Sequence, residues 1–360
     1  MKLSIIVPTY NERENLPILV KRLEKSLSGI DFELIVVDDD SPDETWKIAE
    51  EMAKEYPFVK VIRRINEKDL STAVLEGFRN SKGEILAVMD ADLQHPPEKV
   101  IEMLRKIEEG ANIVIGSRYV EGGEIEEWGI MRKFYSKFAT FLAHIFLPAS
   151  RIVKDPMSGF FMIKREVIEG IELNPIGYKI LLEIIAKGKY ERIEEEPIKF
   201  SKREKGKSSL NLNNQIKYLR HLIRLSWETE EIHRMIKFAI VGLTGIFVNI
   251  GILWILTEFA GFYYLLSAIF SIEASIISNF LLNDFWTFVD RRKKGFKEWL
   301  KRMGKFNLIS SPAFPMQMGV MGMLYEFFGV YYIIAAFIGI LAVFIWNFVA
   351  NSLWTWKKIY

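Results

Sequence analysis

The chain has 360 residues, carries no cysteine, and sets 48 Lys and Arg against 46 Asp and Glu for a formal net charge of +2. No disulfide framework or thiolate metal site is possible, and the missing basic excess argues against a general nucleic-acid binder. Half of the residues are hydrophobic while 26% are charged, and the two kinds are segregated: residues 1 to about 235 read as a soluble charged protein, the rest as long stretches almost free of charge.

Met1-Lys2-Leu3-Ser4-Ile5 runs straight into a strand pattern with no signal peptide, which keeps the N-terminal part in the cytosol. Residues 3–7 read as a strand and 12–28 as a helix, through Leu16, Leu19, Val20, Leu23 and Leu27. Residues 32–37 are again a strand and 44–55 a helix. The runs 59–62, 85–89 and 113–115 continue the strand series, with helical patterns between them. Continuous rather than alternating apolar runs suggest a parallel sheet buried on both faces. Strand–helix alternation then gives a layered α/β fold. Ligands in such folds bind beyond the carboxyl ends of the strands, which singles out loops 8–12, 38–43, 90–97 and 116–123.

Beyond Gly170 the pattern predicts a helix over 178–187 and an edge strand over 191–200 containing Pro197. A basic loop follows, Ser201-Lys202-Arg203-Glu204-Lys205-Gly206-Lys207-Ser208. Residues 210–233 form an amphipathic helical stretch with Lys217, Arg220, Arg224 and Trp227. It either lies on a bilayer surface or packs as a solvated helix on the domain.

Four candidate spans follow, at 235–258, 263–288, 306–328 and 331–354, each near the ~20 residues that cross a hydrocarbon core. Arg291-Arg292-Lys293-Lys294, with Lys297, Lys301, Arg302 and Lys305, joins the second to the third, and Trp356-Lys357-Lys358 lies near the end. The positive-inside rule puts this linker, both termini and the soluble domain in the cytosol. The spans repeat at an offset of 68 positions: Lys237-Phe238 matches Lys305-Phe306, Tyr263-Tyr264 matches Tyr331-Tyr332, Asn283 matches Asn351, and Trp286-Thr287 matches Trp354-Thr355. Two helical hairpins of like orientation, related by an axis along the membrane normal, are expected. Glu273, in mid-span, is expected to be protonated or paired inside the bundle. The domains are thus 1–210 (catalytic), 211–234 (amphipathic interface helices) and 235–360, the last made of hairpins at about 235–288 and 306–355.

Val88-Met89-Asp90-Ala91-Asp92-Leu93-Gln94 stands at a strand end. Two carboxylates two residues apart can share one hard divalent cation that also bridges to substrate phosphates; the alternative is an ordinary acidic loop. Asp38-Asp39-Asp40-Ser41 packs three carboxylates at another strand end. Either one or two of them meet a ligand, or the loop is solvated and Asp40 or Ser41 caps the next helix. His95 is either a site residue or solvent-facing; Trp128 either packs or orders an acceptor; His144, His221 and His233 belong to no constellation.

Pro8-Thr9-Tyr10-Asn11-Glu12, Asp38-Asp39-Asp40-Ser41, Asp90-Ala91-Asp92-Leu93-Gln94-His95-Pro96 and Gly116-Ser117-Arg118-Tyr119 resemble motifs of the family-two GT-A glycosyltransferases. Gly122-Gly123, Trp128, Arg132, Ser136, Asp155-Pro156-Met157-Ser158-Gly159-Phe160 and Pro197-Ile198-Lys199-Phe200, with Arg203 and Gly206-Lys207-Ser208, extend the likeness. Together they resemble the dolichol-phosphate mannose synthases and related polyprenyl-phosphate sugar synthases, archaeal ones above all, over about residues 1–215. The membrane part is similar, more loosely, to flippase-like domains. The resemblance implies a GT-A fold, Rossmann-like with a mostly parallel sheet, followed by interface helices and four transmembrane helices in two repeated hairpins.

It also implies roles. Pro8, Tyr10, Glu12 and Asp39 would hold the nucleoside of a nucleotide sugar. Asp90 and Asp92, joined by Gln94, would hold Mn²⁺ or Mg²⁺ on its diphosphate. Arg118, Arg132, Ser136 and Arg203 would surround the diphosphate and the acceptor phosphate; Asp92, Arg118, Arg132 and Arg203 carry catalysis. Lys68-Asp69-Leu70-Ser71-Thr72-Ala73 stands where the family has a glycine-rich approach, and the Gln-x-x-Arg-Trp signature of processive synthases is absent, so one sugar is transferred.

A lipid phosphate is already ionised near neutral pH and needs no general base. Metal and guanidinium charge must instead offset the repulsion between donor diphosphate and acceptor phosphate. A single in-line displacement that inverts the anomeric centre follows. The expected reaction is mannose transfer from GDP-mannose to dolichyl or another polyprenyl phosphate, at the cytosolic face of the bilayer, by a multi-pass membrane protein that binds no nucleic acid. Glucose transfer from UDP-glucose is the close alternative. A reading of another class is a lipid-sugar flippase, with the span asparagines lining a polar path rather than bonding between helices.

Overall fold

The computed structural model describes residues 2–65, 68–126, 129–201 and 212–357; Trp128, Arg203 and Gly206-Lys207-Ser208 lie outside the described residues. In chain order it forms β1 (Leu3–Thr9), α1 (Leu16–Ser26), β2 (Phe32–Asp38), α2 (Thr45–Glu55), β3 (Val59–Arg63), α3 (Leu70–Asn80), β4 (Ile85–Val88), α4 (Lys99–Glu108), β5 (Ile113–Ser117), β6 (Glu124–Ile125) and α5 (Ile130–Phe146). There follow β7 (Phe161–Lys164), α6 (Ile180–Lys187), β8 (Ile193–Pro197), β9 (Lys199–Phe200), α7 (Leu212–Glu228), α8 (Glu231–Trp254), α9 (Tyr264–Leu282), α10 (Phe296–Ser310), α11 (Ala313–Phe328) and α12 (Tyr332–Ala350). Two units separate between Thr229 and Glu230. The stretch expected as one helix to residue 233 breaks there, at Glu230 with φ 61°, so α7 belongs to the first unit.

The first unit is a seven-stranded sheet in the order β3-β2-β1-β4-β7-β5-β8. The strands foreseen as a parallel series do pair in parallel: β1 with β2 and β4, β2 with β3, and β5 with β8. β7, which the sequence reading did not anticipate, is antiparallel to both β4 and β5. Along β1 successive side chains leave opposite faces of the sheet. Leu3, Ile5 and Val7 meet α1, α2 and α4 in one core, while Ile6 joins α3 and α6 in the other. The helices present apolar stripes at i, i+3, i+4 to these cores, as in Val100, Met103, Leu104 and Ile107 of α4. Covering both faces is what permits the continuous apolar strands. It also leaves the carboxyl edge of β1, β2, β4 and β5 as the open rim of the sheet.

The second unit keeps the repeat in detail. α9 and α12 begin and end 68 residues apart, and a one-turn π segment follows each, Asn283–Thr287 and Asn351–Thr355. Their buried positions correspond: Ser267, Ser271 and Phe280 in α9, Ala335, Gly339 and Phe348 in α12. Lys237 lies over Trp286 as Lys305 lies over Trp354. The contacts are reciprocal, Phe238 with Phe348 at 5.6 Å and Phe306 with Phe280 at 5.8 Å. Phe288 stacks at 4.4 Å on Trp356, its own counterpart. Self-pairing of equivalent residues is the mark of a twofold axis.

Among the described residues three helical stretches are long and apolar enough to cross a membrane: Glu231–Phe259, Tyr264–Thr287 and Tyr332–Thr355. The third expected span, 306–328, is interrupted between α10 and α11 at Ser311-Pro312. Proline supplies no N–H and collides with the preceding turn; the matching position of α8 is Thr244, which continues the helix. Glu273 is not inside the bundle. It lies on an exposed face, with the Asn307 amide 3.4 Å from its carboxylate, because its register is that of exposed Leu341.

One buried ion pair of this unit is Asp284 with Arg302, whose Nε and Nη2 donate at 2.8 and 3.1 Å, while Trp356 Nε1 donates to the same carboxylate at 2.8 Å. Removing one member of a buried pair strands the other. Asp284→Ala is expected to destabilise this unit by about 3–5 kcal/mol, read as a lowered unfolding midpoint in detergent. A midpoint within a degree of wild type would refute it.

Candidate active site

Four strand ends build the site. At the end of β1, Pro8 is buried and Tyr10 is exposed, with the Lys68 ammonium 5.4 Å from its ring. Pro8 has no N–H to offer a neighbouring strand, and it is tolerated because the β1–β4 ladder stops at Ile6 and Val88. The Glu12 carboxylate accepts from Asn15 Nδ2 at 2.7 Å, and its backbone N–H donates to Thr45 Oγ1 at 2.9 Å.

At the end of β2 each of the three aspartates has a partner from the protein. Asp38 accepts from the hydroxyls of Thr9 and Ser41 at 2.8 and 2.7 Å. Asp39 accepts from Arg64 Nε at 2.7 Å and from the backbone N–H of Asp69 at 3.0 Å. Asp40 accepts from Arg63 Nε at 2.8 Å. Mutual repulsion is therefore offset without an outside ligand. Burial pushes the Asp39 carboxyl above its usual range even against Arg64. Neither Asp40 nor Ser41 caps α2; Asp43 accepts from the Thr45 N–H at 3.0 Å instead.

At the end of β4 the chain turns sharply. Leu93 adopts φ 60°, a costly conformation for a branched side chain, and Asp92 Oδ1 accepts from the Gln94 N–H at 3.1 Å. Asp92 and Gln94 are buried, and the Asp90 carboxylate is partly open. The Gln94 amide nitrogen donates to the Ser201 carbonyl at 2.9 Å, which leaves its oxygen as the ligand-type atom. His95 is buried, not solvent-facing, and packs 5.3 Å from Phe160 and 5.4 Å from Phe200. Its Nδ1 accepts the Asp90 N–H at 3.3 Å, and burial lowers its pKa, so the ring is neutral and its approach to the Asp90 carboxylate is no ion pair.

At the end of β5, Arg118 makes a two-pronged bond to buried Asp155, Nε and Nη2 each at 2.7 Å, and its backbone N–H donates to the same carboxylate at 3.1 Å. Asp155 opens a tight turn that closes on Gly159. A Cβ on Gly159 would sit 3.3 Å from Asp90 Oδ2 and 3.5 Å from the His95 ring. The turn thus joins Arg118 at one end to the Asp90 carboxylate at the other. Tyr119 Oη and Ser136 Oγ are 2.9 Å apart, which brings α5 to the Arg118 loop; Arg132 lies one turn earlier on that helix. Arg203 lies outside the described residues.

The donor set suits a hard cation: two carboxylates and an amide oxygen, with room beside Asp90 that only a glycine at 159 leaves open. Among the described residues no three His, Cys, Asp or Glu side chains gather into a cage. Gly159→Ala must displace the Asp90 carboxylate by a few tenths of an ångström. It is expected to raise the half-saturating Mn²⁺ concentration about tenfold with little change in unfolding temperature. An unchanged metal titration would count against this donor set.

Sequence reasoning assigned nothing to Arg64, which holds Asp39, or to Lys179, whose Nζ donates to the Met157 carbonyl at 2.6 Å inside the Asp155–Gly159 turn. The sequence pattern put Lys179 inside a helix over 178–187, and only the structure starts that helix at Ile180. Lys179 is the N-cap of α6, where a helix dipole disfavours a cation.

Residues 4–171 match the glycosyl transferase family 2 model, and residues 237–356 match that of the GtrA/DPMS transmembrane domain. The chain is 47% identical to a dolichol-phosphate mannosyltransferase of Pyrococcus furiosus over 357 residues, covering 99% of each chain. It is 38% identical to a dolichol-phosphate mannosyltransferase of Saccharomyces cerevisiae over 234 residues, 62% of this chain and 86% of the other. A glucosyl-3-phosphoglycerate synthase of Mycobacterium tuberculosis, crystallised with Mn²⁺, UDP and glucosyl-3-phosphoglycerate, superposes with a TM-score of 0.50 at 18% identity, covering 63% of this chain and 79% of that one. That likeness concerns the fold.

Proposed function

The chain belongs to the dolichol-phosphate mannosyltransferase family, and from that premise we propose that it transfers one mannose from GDP-mannose to dolichyl or another polyprenyl phosphate. It is a membrane-bound glycosyltransferase. The observation that carries the reaction is the single turn from Asp155 to Gly159, which links Arg118 at one end to the Asp90 carboxylate at the other. That arrangement suits a reaction in which two phosphate groups must approach each other.

Asp90, Asp92 and the Gln94 oxygen would hold Mn²⁺ or Mg²⁺, which supplies charge to stabilise the leaving diphosphate. Tyr10, Glu12 and Asp39 line the nucleoside end beside Pro8. Arg118, Arg132, Ser136 and Arg203 receive the phosphates. An acceptor phosphate oxygen bonds to the anomeric carbon as the bond from that carbon to the diphosphate oxygen breaks, and GDP leaves with the electron pair. The configuration inverts. The acceptor has no proton to lose, so no side chain serves as base.

Exposed apolar residues on α5 (Met131, Phe134, Tyr135, Phe138) and α7 (Ile216, Leu219, Ile223, Trp227) support contact with the bilayer, where a lipid phosphate resides. The basic segment from Arg291 to Lys305 supports a cytosolic placement of the linker, both termini and the catalytic unit.

The test offers GDP-mannose and UDP-glucose side by side with a polyprenyl phosphate, with and without Mn²⁺ or Mg²⁺. Metal-dependent, inverted mannosyl lipid from GDP-mannose is the expected product. Product from UDP-glucose alone would overturn the donor, and retained configuration or a covalent sugar–enzyme adduct would overturn the mechanism.

A further inference from the structure

Lys179 occupies a position that is unfavourable for a lysine on three counts. It caps the N-terminus of α6, where the helix dipole opposes positive charge. It lies within electrostatic reach of Arg118 and is only partly open to water. Its ammonium has three N–H donors, yet among the described residues its hydrogen-bond acceptor is a neutral carbonyl, that of Met157 at 2.6 Å, and it forms no ion pair.

The backbone nevertheless holds it firmly. Gly177, with φ 85°, donates its N–H to Asp69 Oδ2 at 3.1 Å and accepts from the Ser71 N–H at 3.1 Å. The Ile176 N–H donates to His221 Nδ1 at 2.9 Å. The segment leading to Lys179 is thus clasped to the N-terminus of α3 on one side and to α7 on the other. Its ammonium ends on the same turn whose ends carry Arg118 and the space beside Asp90.

Charge shows what this cation lacks. The Arg118 charge is matched by Asp155 through two bonds, and the Asp90 and Asp92 carboxylates suit a divalent cation. Neither pair leaves net positive charge for an incoming phosphate monoester, which carries roughly −1.5 to −2 near neutral pH. We propose that the Lys179 ammonium binds the phosphate of the lipid acceptor beside Arg118, as a further catalytic cation of the transfer. This rests on the reading of the enzyme as a transferase to a lipid phosphate. The anion supplies the missing hydrogen-bond acceptors, and the lysine supplies charge that Arg118 has already committed to Asp155.

Burial and the nearby Arg118 lower the ammonium pKa to about 8, with Asp155 and Asp90 acting in the opposite sense and the Tyr178 ring 4.7 Å away. A lysine with that pKa loses its charge as the pH rises through about 8, whereas an arginine in its place stays charged.

The experiment uses the full chain in detergent with GDP-mannose, Mn²⁺ and a polyprenyl phosphate, comparing wild type with Lys179→Met and Lys179→Arg. Lys179→Met is expected to lower kcat/KM for the lipid phosphate about 10- to 100-fold while KM for GDP-mannose stays within about twofold. The wild-type kcat/KM for the lipid should fall above pH about 8, and Lys179→Arg should keep substantial activity without that alkaline limb. The proposal is overturned by unchanged lipid kinetics in Lys179→Met, by an equal loss for donor and acceptor, or by an alkaline limb that persists in Lys179→Arg. Should Lys179→Met fail to unfold cooperatively, the pH profile of Lys179→Arg decides. A wild type that makes no lipid product overturns the transferase reading itself, and this assignment with it.

Discussion

Asp92→Asn is expected to lower kcat/KM for mannosyl transfer by about 10²- to 10⁴-fold while leaving the unfolding temperature nearly unchanged. The substitution preserves shape and keeps an oxygen that can accept the Gln94 N–H. What it removes is a negative charge. If the carboxylate shares a divalent cation with Asp90, several kcal/mol of transition-state stabilisation depend on it. Asp92 is buried, so solvent cannot substitute for it. The assay is transfer of labelled mannose to a polyprenyl phosphate, with unfolding followed in parallel. A variant retaining more than a tenth of wild-type kcat/KM would remove Asp92 from the metal site.

Loss of Asp155 should act on both folding and chemistry. Its carboxylate is fully buried, takes both prongs of Arg118 and the Arg118 N–H, and lies within electrostatic reach of Lys179. Asp155→Asn leaves two cations facing each other without the anion between them. Breaking a buried pair from one side costs about 3–5 kcal/mol, equivalent to a fall in unfolding temperature of roughly 6–20 °C for a unit of this size. The paired replacement Asp155→Leu with Arg118→Met should recover much of that stability, because neither charge is then stranded. It should remain inactive, because the phosphate has lost its guanidinium. Recovery of activity in the double variant would show that the pair serves only to hold the fold.

The acidic pair was legible because its evidence is local. Asp90 and Asp92 stand two residues apart at the end of an apolar run, and a buried strand has one place for such a pair, the loop at its carboxyl end. The membrane repeat was legible for the same reason: Tyr263-Tyr264 and Tyr331-Tyr332 show identical 4.7 Å ring pairs, and that equivalence follows from register alone. β7 was not legible. Phe161–Lys164 carries a short apolar run like the other strands, but its antiparallel insertion between β4 and β5 is a matter of long-range pairing, which no local pattern encodes. The helix break at Ser311-Pro312 was visible in principle, since proline interrupts an i to i−4 ladder wherever it stands.

The sequence by itself determined the α/β character of the first unit, the apolar character and 68-residue repeat of the second, and the standing of the candidate loops at the ends of β1, β2, β4 and β5. These properties depend on residue type and on spacing along a few turns of chain. Only the tertiary structure decided which charges were already spoken for. Arg64 reaches Asp39 across 25 positions, Arg118 reaches Asp155 across 37, and Lys179 reaches Met157 across 22. Two like charges in a motif are equivalent until a distant residue is folded against one of them, because Coulomb attraction and desolvation depend on separation in space. The fold therefore distinguishes an arginine held by an aspartate from a lysine held by a neutral carbonyl.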